Sequence, residues 1–186
     1  MRIIGGEAGG RPLHLPKGCR IRPTSDRVKE SLFAILRDVS GCRFLDLFAG
    51  SGNVGLEALS RGARDAVFVE KAPLLAAAIK DNLQRLGYQG RAEIIAADAV
   101  SGLRRLAKRG ERFEILFADP PYEEGLLEEL GAGLQEADLL AEEGLVVLQH
   151  SVHETWEPSQ WPPLTLADQR RYGDTLLTFL EKRKEK

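Results

Sequence analysis

The stretch FLDLFAGSGNVG, residues 44–55, decides the fold that the sequence predicts. An apolar run ends at Asp46, and three glycines follow in the pattern G-x-G-x-x-G, which joins a strand to a helix and lets a ligand approach the backbone. Glu70 lies 20 residues after Gly50, at the spacing of the acid in a dinucleotide site. The stretch therefore predicts an α/β fold with an adenosine-containing ligand at the glycine turn.

Three further apolar runs end at an acid: AVFVEK at Glu70, AEIIAADA at Asp98 and FEILFADPPY at Asp119. Counted from Asp46, the intervals are 24, 28 and 21 residues, the length of a short strand, a loop and a covering helix. Right-handed β-α-β connections make such strands parallel. The four carboxylates are therefore expected at the C-terminal edge of one sheet, where ligands of open α/β sheets bind.

The two ends of the chain predict smaller additions to this sheet. A fifth apolar strand, LVVLQH at 145–150, precedes a segment that predicts two strands around the Tyr172-Gly173-Asp174 turn, so an antiparallel hairpin is expected. Before the core, a glycine-rich stretch is followed by TSDRVKESLFAIL at 24–36, with apolar residues on one helical face behind a Thr/Ser/Asp cap. This front piece predicts an accessory hairpin and helix.

Length and charge limit the possible organisation. With 186 residues, a single domain is expected, with an accessory region at 1–40, a core at 41–180 and a charged tail at 181–186. The net charge of −2 gives no overall electrostatic case for a nucleic-acid or membrane partner. Residues 1–38 nevertheless carry eight basic and four acidic side chains, which allows a local basic face.

Cysteine usage and hydropathy bear on the compartment. Cys19 and Cys42 are isolated thiols without a C-x-x-C pair, so neither a disulfide framework nor a zinc site is expected. No apolar run approaches the roughly 20 residues of a membrane helix, and no leader pattern opens the sequence. A cytoplasmic protein without a membrane partner is expected.

Histidines and tryptophans after the fifth strand favour structural roles. His150 and His153 have i, i+3 spacing without a third ligand nearby, so no metal site is expected. Trp156 and Trp161 flank a proline-rich loop. Packing against the sheet edge is the favoured interpretation, and a platform for RNA is the alternative.

Two features distinguish between possible ligands. Asp46 precedes the glycines, where a pyrophosphate would meet a like charge and the ammonium group of S-adenosylmethionine would be stabilised. The DPPY segment at 119–122 has no evident use in hydride transfer, although two prolines also occur in ordinary loops. The pattern favours S-adenosylmethionine. An NAD-dependent oxidoreductase and a nucleotide-binding module without catalysis remain alternatives.

The motifs together resemble a known family. DLFAGSG at 46–52, the acids of VEK and AADA, and DPPY at 119–122 are similar to class I S-adenosylmethionine-dependent methyltransferases acting on exocyclic amines. RPTSDRVKESLF and RIIGGEAGGRPLHLP resemble the RsmD family, bacterial guanine-N2 methyltransferases of 16S ribosomal RNA, almost end to end. The resemblance implies a Rossmann-like, mostly parallel seven-stranded sheet with helices on both faces, a C-terminal antiparallel hairpin and a small N-terminal hairpin and helix.

The DPPY segment fits the chemistry of methyl transfer to an aromatic amine, whose nitrogen lone pair is spread into the ring. The Asp119 carboxylate and the Pro120 carbonyl can each accept one N–H and so localise that lone pair. Pro121 stiffens the turn, and Tyr122 would stack on the extruded base for about 1 to 3 kcal/mol. These four residues are the predicted catalytic residues, and no metal is required.

The resemblance also implies a set of cofactor-binding residues: Thr24, Asp46, Phe48, Gly50, Gly52, Glu70, Asp98 and Ala99. Asp46 and the two glycines would line the methionine side, the Glu70 carboxylate the ribose hydroxyls, and the Asp98 carboxylate the adenine amine. The turn that begins at Thr24 either meets the cofactor carboxylate or only caps the accessory helix.

The expected partner is 16S ribosomal RNA, within an assembling small subunit, with no obligate protein partner. Arg11, Arg22, Arg27 and Lys29 are the candidates for phosphate contacts, against the alternative of a solvated basic face. An adenine-N6 DNA methyltransferase is the main rival, since DPPY also occurs in those enzymes. The short regions outside the core leave little room for the target-recognition domain that such enzymes usually need.

Overall fold

The computed structural model describes residues 1–16, 24–121 and 125–183. The strands are β1 (Arg43–Leu47), β2 (Asp65–Val69), β3 (Ala92–Ile95), β4 (Phe113–Ala118), β5 (Leu140–Ser151), β6 (Leu164–Tyr172) and β7 (Thr175–Lys182). The helices are α1 (Asp26–Leu36), α2 (Asn53–Ser60), α3 (Pro73–Leu86), α4 (Ala99–Lys108) and α5 (Leu126–Ala137). Within these ranges, no helix has the length and apolar character needed to cross a membrane.

The strands form one mixed sheet in the order β3-β2-β1-β4-β5-β7-β6. The first five strands pair in parallel, and β7 lies antiparallel between β5 and β6. Strand order reverses beside β1, the position at which open α/β sheets bind ligands. The predicted parallel core with a C-terminal antiparallel hairpin is confirmed.

The register of the parallel strands keeps their carboxyl ends level. Leu47 of β1 pairs with both Val69 and Ala118, and Ala118 pairs in turn with Leu148 of β5. The residues that follow these positions therefore emerge at one edge of the sheet. The acids that end the apolar runs are far apart in the sequence but lie side by side at this edge.

The two faces of the sheet are covered by different helices. Alternate residues of β1 separate into two buried clusters: Phe44 packs with residues of α1, α2 and α3, whereas Leu45 packs with residues of α4 and α5. Asp46 has the same parity as Phe44 and so faces α2. The alternating direction of the side chains along β1 therefore places the buried Asp46 carboxyl on the face of the sheet that α2 covers.

The tryptophans after β5 pack inside the protein. Trp156 and Trp161 are 8% and 1% exposed, and their rings meet edge to face with centroids 4.7 Å apart. His150, on β5, packs against Trp156, and its Nε2 lies 2.8 Å from the Thr178 hydroxyl. The favoured prediction of packing is confirmed, and a surface platform for RNA at these two rings is excluded.

The N-terminal region folds back on itself and docks on α2. One antiparallel bridge joins Arg2 to Pro12, and the Ile3 amide donates to the Arg11 carbonyl at 2.9 Å. The amides of Gly10 and Leu13 donate to the carbonyls of Ile3 and Met1 and extend this pairing, so the predicted hairpin is present in a short form. The amides of Ile4 and Gly5 donate to the buried Glu57 carboxylate of α2, each at 2.8 Å.

Lys29 is part of the interior of this junction, and its predicted contact with RNA is wrong. Its side chain is fully buried. The Nζ donates to the Arg2 carbonyl at 2.7 Å and the Asn53 Oδ1 at 2.7 Å, and lies 3.2 Å from the Glu57 carboxylate. All three donors of the ammonium group are thus used inside the protein, so none is available to a phosphate.

We expect Lys29→Met to lower the free energy of unfolding by about 3 kcal/mol, because it leaves the buried Glu57 carboxylate with one cation fewer. Urea unfolding measures this loss. Arg27→Met is the matched control, since Arg27 is exposed on the same helix, and a change within about 0.5 kcal/mol is expected. Equal losses in both variants would contradict the structural role of Lys29.

Candidate active site

A cavity of about 910 Å³ opens at the carboxyl edge of the sheet, within the size range of cofactor sites. Most of the predicted site residues line it: Thr24, Asp46, Phe48, Gly50, Glu70, Asp98, Ala99, Asp119, Pro120 and Pro121. Tyr122 lies outside the described residues. Residues separated by nearly 100 positions in the sequence thus share one cavity because parallel strands end together there.

Asp46 is the most deeply buried acid of this cavity, with 2% of its surface exposed. Its Oδ2 accepts the Gly55 amide of α2 at 2.9 Å. Burial raises its pKa to about 8; the Gly55 hydrogen bond opposes this rise, and the charges of Asp119 and Glu70 add to it. A cationic ligand beside Asp46 would offset this burial and restore the ionised form of the carboxyl.

Glu70 holds the glycine turn to the start of the next helix. One carboxylate oxygen accepts the Gly50 amide at 2.6 Å, and the other accepts the Ala72 amide at 2.7 Å. A carboxylate has about four lone-pair sites, so both oxygens can still accept hydroxyl groups. Glu70 is thus fixed in place by the backbone that it organises.

The glycine turn has two distinct parts. Phe48 and Gly50 adopt left-handed φ angles of 60° and 55° and line the cavity. Gly52, also left-handed at 73°, is not one of the described residues that line the cavity. It precedes α2, where an added Cβ would lie 3.0 Å from Ile79 Cγ1, so Gly52 is needed for the close packing of the strand-to-helix turn. A contact of Gly52 with the cofactor stays a prediction.

Asp98, the acid predicted to accept the adenine amine, is exposed and caps α4. Its Oδ1 accepts the Ser101 amide at 2.8 Å, and this bond lowers the pKa of the carboxyl. It follows β3, whereas Asp119 follows β4, three strands further along the sheet.

Two functions are possible for the turn before α1, namely capping of the helix and a contact with the cofactor. Ser25 is the cap, with its Oγ accepting the Val28 amide at 3.3 Å. Thr24 instead lines the cavity, and its carbonyl accepts from Asn53 Nδ2 at 3.0 Å. Capping thus needs only Ser25, and a cofactor contact by the Thr24 hydroxyl remains a prediction.

Asp119 is half-buried directly after β4, at the start of the acid-proline turn. Its Oδ2 accepts a hydrogen bond from Gln149 Nε2 of β5 at 2.8 Å. Pro120 is buried and Pro121 is exposed, and both line the cavity. The predicted amine-binding turn therefore opens onto the same space as Asp46 and Glu70.

A family model described as conserved hypothetical protein 95 matches residues 1–181. The chain belongs to this family. "Ribosomal RNA small subunit methyltransferase D" of Escherichia coli K12 is 41% identical over 153 residues, which are 82% of this chain and 75% of that protein. "Putative rRNA methyltransferase YlbH" of Bacillus subtilis is 38% identical over 98% of this chain and all of its own length.

A solved structure supports the same assignment. "Putative methyltransferase yhhF" from Escherichia coli superposes with a TM-score of 0.87 and 36% identity, over 100% of this chain and 99% of that chain. The resemblance to RsmD enzymes and the class I methyltransferase fold that the sequence predicts are both confirmed.

Several cavity residues of this family member are not predicted by the sequence motifs, among them Asn53, Gln149 and Thr175. Gln149 does have a signal in the sequence. It follows the apolar run LVVL of β5 in the same way that the acids follow the earlier strands. A polar side chain of any kind at that position reaches the same edge.

The basic candidates divide into three groups. Arg11 and Arg27 are exposed, and Arg11 Nη2 donates to the Arg85 carbonyl at 2.5 Å. Arg22 lies outside the described residues, and Lys29 is buried. Phosphate contacts therefore remain a prediction for Arg11, Arg22 and Arg27.

We expect Asp46→Asn to stabilise the ligand-free protein increasingly as pH rises from 5 to 8. The pKa of Asp46 is raised by folding, so its stabilising contribution is present at low pH and is lost as pH rises towards 8. Because asparagine does not titrate, the difference in free energy of unfolding should grow by at most about 1.4 kcal/mol per pH unit. Urea unfolding of both proteins at each pH measures it. A difference independent of pH would contradict the raised pKa.

Proposed function

We propose that this protein transfers a methyl group from S-adenosylmethionine to the exocyclic N2 amine of a guanine in 16S ribosomal RNA of an assembling small subunit. One observation carries the proposal: the acid-proline turn at Asp119 and the carboxylates of Asp46 and Glu70 open onto the same cavity. A nucleobase amine and a cationic cofactor would therefore meet there.

The charge of the cavity favours S-adenosylmethionine over a dinucleotide. Burial is the main cause of the raised pKa of Asp46, and the charges of Asp119 and Glu70 add to it, so three acids lie close together in the cavity. A pyrophosphate would add to this repulsion, whereas ammonium and sulfonium groups would relieve it. The residues present thus fit the proposed cofactor.

Each acid along the cavity has a distinct proposed contact. Asp46 binds the ammonium group, Glu70 accepts the ribose hydroxyls, and Asp98 accepts the adenine amine. When bound, S-adenosylmethionine supplies a methyl group on a sulfonium sulfur, which leaves as a neutral thioether. These contacts fix the position of the donor relative to Asp119.

The turn after β4 prepares the amine for attack. The Asp119 carboxylate and the Pro120 carbonyl accept one N–H each, which favours a pyramidal nitrogen with its lone pair free to form the N–C bond. As that bond forms, the nitrogen must lose one proton, and Asp119 is the ionisable acceptor in place to take it. Positioning and hydrogen bonding suffice for this step.

The proposal of a ribosomal RNA substrate rests on the named relatives and on the division of the chain into an accessory region and a catalytic core. Residues 1–40 would form an accessory region around a catalytic core at 41–180. Exposed Arg11 and Arg27 on the accessory region would contact phosphates. Such contacts orient the RNA, while the turn at Asp119 holds the target amine.

We expect S-adenosylmethionine and its demethylated product to raise the melting temperature of the protein, and NAD to leave it unchanged. At a ligand concentration of 100 times Kd, the stabilisation amounts to about 2.7 kcal/mol. Asp46→Asn should largely abolish the response because it removes the partner of the ammonium group. Differential scanning fluorimetry measures these shifts.

Asp81→Asn is the control for the cofactor experiment. Asp81 is an acid of α3 whose side chain is 47% exposed and pairs with Arg85 outside the cavity, so this variant should respond to S-adenosylmethionine as the wild type does. Stabilisation by NAD without stabilisation by S-adenosylmethionine would overturn the assignment of the cofactor.

We expect labelled methyl groups to appear as N2-methylguanosine in 16S ribosomal RNA or small subunits. Asp119→Ala should lower kcat by about 100-fold to 1,000-fold, because one preorganised acceptor is lost, with little change in affinity for S-adenosylmethionine. Nucleoside analysis of naked RNA, assembled small subunits and DNA identifies the product.

The controls of the methylation assay separate substrate from mechanism. Asp81→Asn should retain wild-type turnover. Label recovered as methyladenine in DNA would assign the rival activity, and normal turnover by Asp119→Ala would remove Asp119 from the mechanism.

A further inference from the structure

Gln149 is a hydrogen-bonded neighbour of the proposed catalytic acid across the sheet. It lies in β5 directly after Leu148, which pairs with Ala118, so Gln149 and Asp119 are level at the carboxyl edge. The Gln149 side chain lines the cavity and is 7% exposed. Its Nε2 donates to Asp119 Oδ2 at 2.8 Å.

The charge of Asp119 determines which end of the Gln149 amide, the N–H or the carbonyl oxygen, faces it favourably. An amide N–H stabilises an ionised carboxylate, whereas the reversed amide would turn its carbonyl oxygen towards the same charge. The observed contact therefore matches an ionised Asp119. It also fixes one carboxylate oxygen, so the plane of the carboxylate is set by β5.

The oxygen of the Gln149 amide shows that packing alone does not explain a glutamine at position 149. Gln149 Oε1 is buried and has no hydrogen-bond partner among the described residues. The neighbouring strand positions Val146, Val147 and Leu148 are apolar and buried, and an apolar residue at 149 would leave no buried acceptor without a partner. The contact with Asp119 is the compensating interaction.

The surrounding charges give this contact a function. Asp46 and Glu70 line the same cavity as Asp119. A neutral donor on Oδ2 favours the charged form of Asp119 without adding a positive charge that would repel the proposed cationic cofactor. A lysine or arginine in this position would stabilise Asp119 but weaken the negative potential of the cavity.

We propose that Gln149 is a positioning residue, which holds the Asp119 carboxylate ionised and turned towards the amine of the substrate. This inference rests on the proposed methyl transfer. Gln149 itself touches no reacting atom and acts through Asp119.

We expect Gln149→Met, which keeps the side-chain length and removes the donor, to lower kcat about tenfold to 100-fold at pH 7. The acidic limb of the kcat profile should move to higher pH, because Asp119 loses a hydrogen bond to its charged form. Affinity for S-adenosylmethionine should change less than twofold. Labelled-methyl assays on the RNA substrate between pH 5 and 9, with cofactor titrations, measure all three quantities.

A second variant and a matched control separate positioning from stability. Gln149→Asn keeps the amide but shortens its reach by one carbon, so it should shift the pH profile in the same direction. Gln169→Met removes an exposed amide of β6 that donates to Thr178 at 2.8 Å, and its kcat profile should match the wild type. Thermal unfolding of each variant reports any general loss of stability.

A double-mutant cycle decides whether Gln149 acts through Asp119. Gln149→Met should have no further effect on the residual rate of Asp119→Ala, because the residue it positions is already absent. Additive losses, or a wild-type pH profile in both Gln149 variants, would overturn the inference while leaving the methyltransferase in place. Normal turnover by Asp119→Ala alone would instead overturn the proposed mechanism.

Discussion

The burial of Asp46 beneath the first turn of α2 is the constraint on which the rest of the site depends. A carboxylate at this depth needs a donor, and the Gly55 amide supplies it at 2.9 Å. The close approach requires glycine, because a Cβ at position 55 would lie 2.3 Å from Phe68 Cε1 and 3.1 Å from Asp46 Oδ2. The last glycine of the motif therefore serves the buried acid, while Gly50 bonds to Glu70 and shapes the cavity.

The positions of the acids could be predicted from the sequence because they depend only on strand length and parallel pairing. Asp46, Glu70 and Asp119 each end an apolar run, and level carboxyl ends place them at one cavity. Lys29 could not be placed in this way. Its burial depends on contacts with Arg2 and Glu57, which lie 27 and 28 residues away, and no local pattern distinguishes such a lysine from an exposed one.

The buried junction around Lys29 also explains how the N-terminal region can influence the cavity. Asn53 accepts from the Lys29 Nζ and donates to the Thr24 carbonyl, and both Asn53 and Thr24 line the cavity. The ammonium group of Lys29 in turn binds the carbonyl of Arg2. One cation thus connects the N-terminal backbone, α1 and the cavity wall, so the accessory region is joined to the core through buried hydrogen bonds and not only through surface contacts.

The cluster of carboxylates would favour the proposed donor over its product without a conformational change. In the ligand-free protein burial raises the pKa of Asp46 to about 8, and the charges of Asp119 and Glu70 add to this rise. The proposed donor, S-adenosylmethionine, carries an ammonium and a sulfonium group, and both would be stabilised beside ionised carboxylates. Transfer of the methyl group turns the sulfonium into a neutral thioether, so one of these two attractions is lost in the reaction itself. The same negative potential that selects the donor therefore holds the product less tightly, which favours its release once the methyl group has moved.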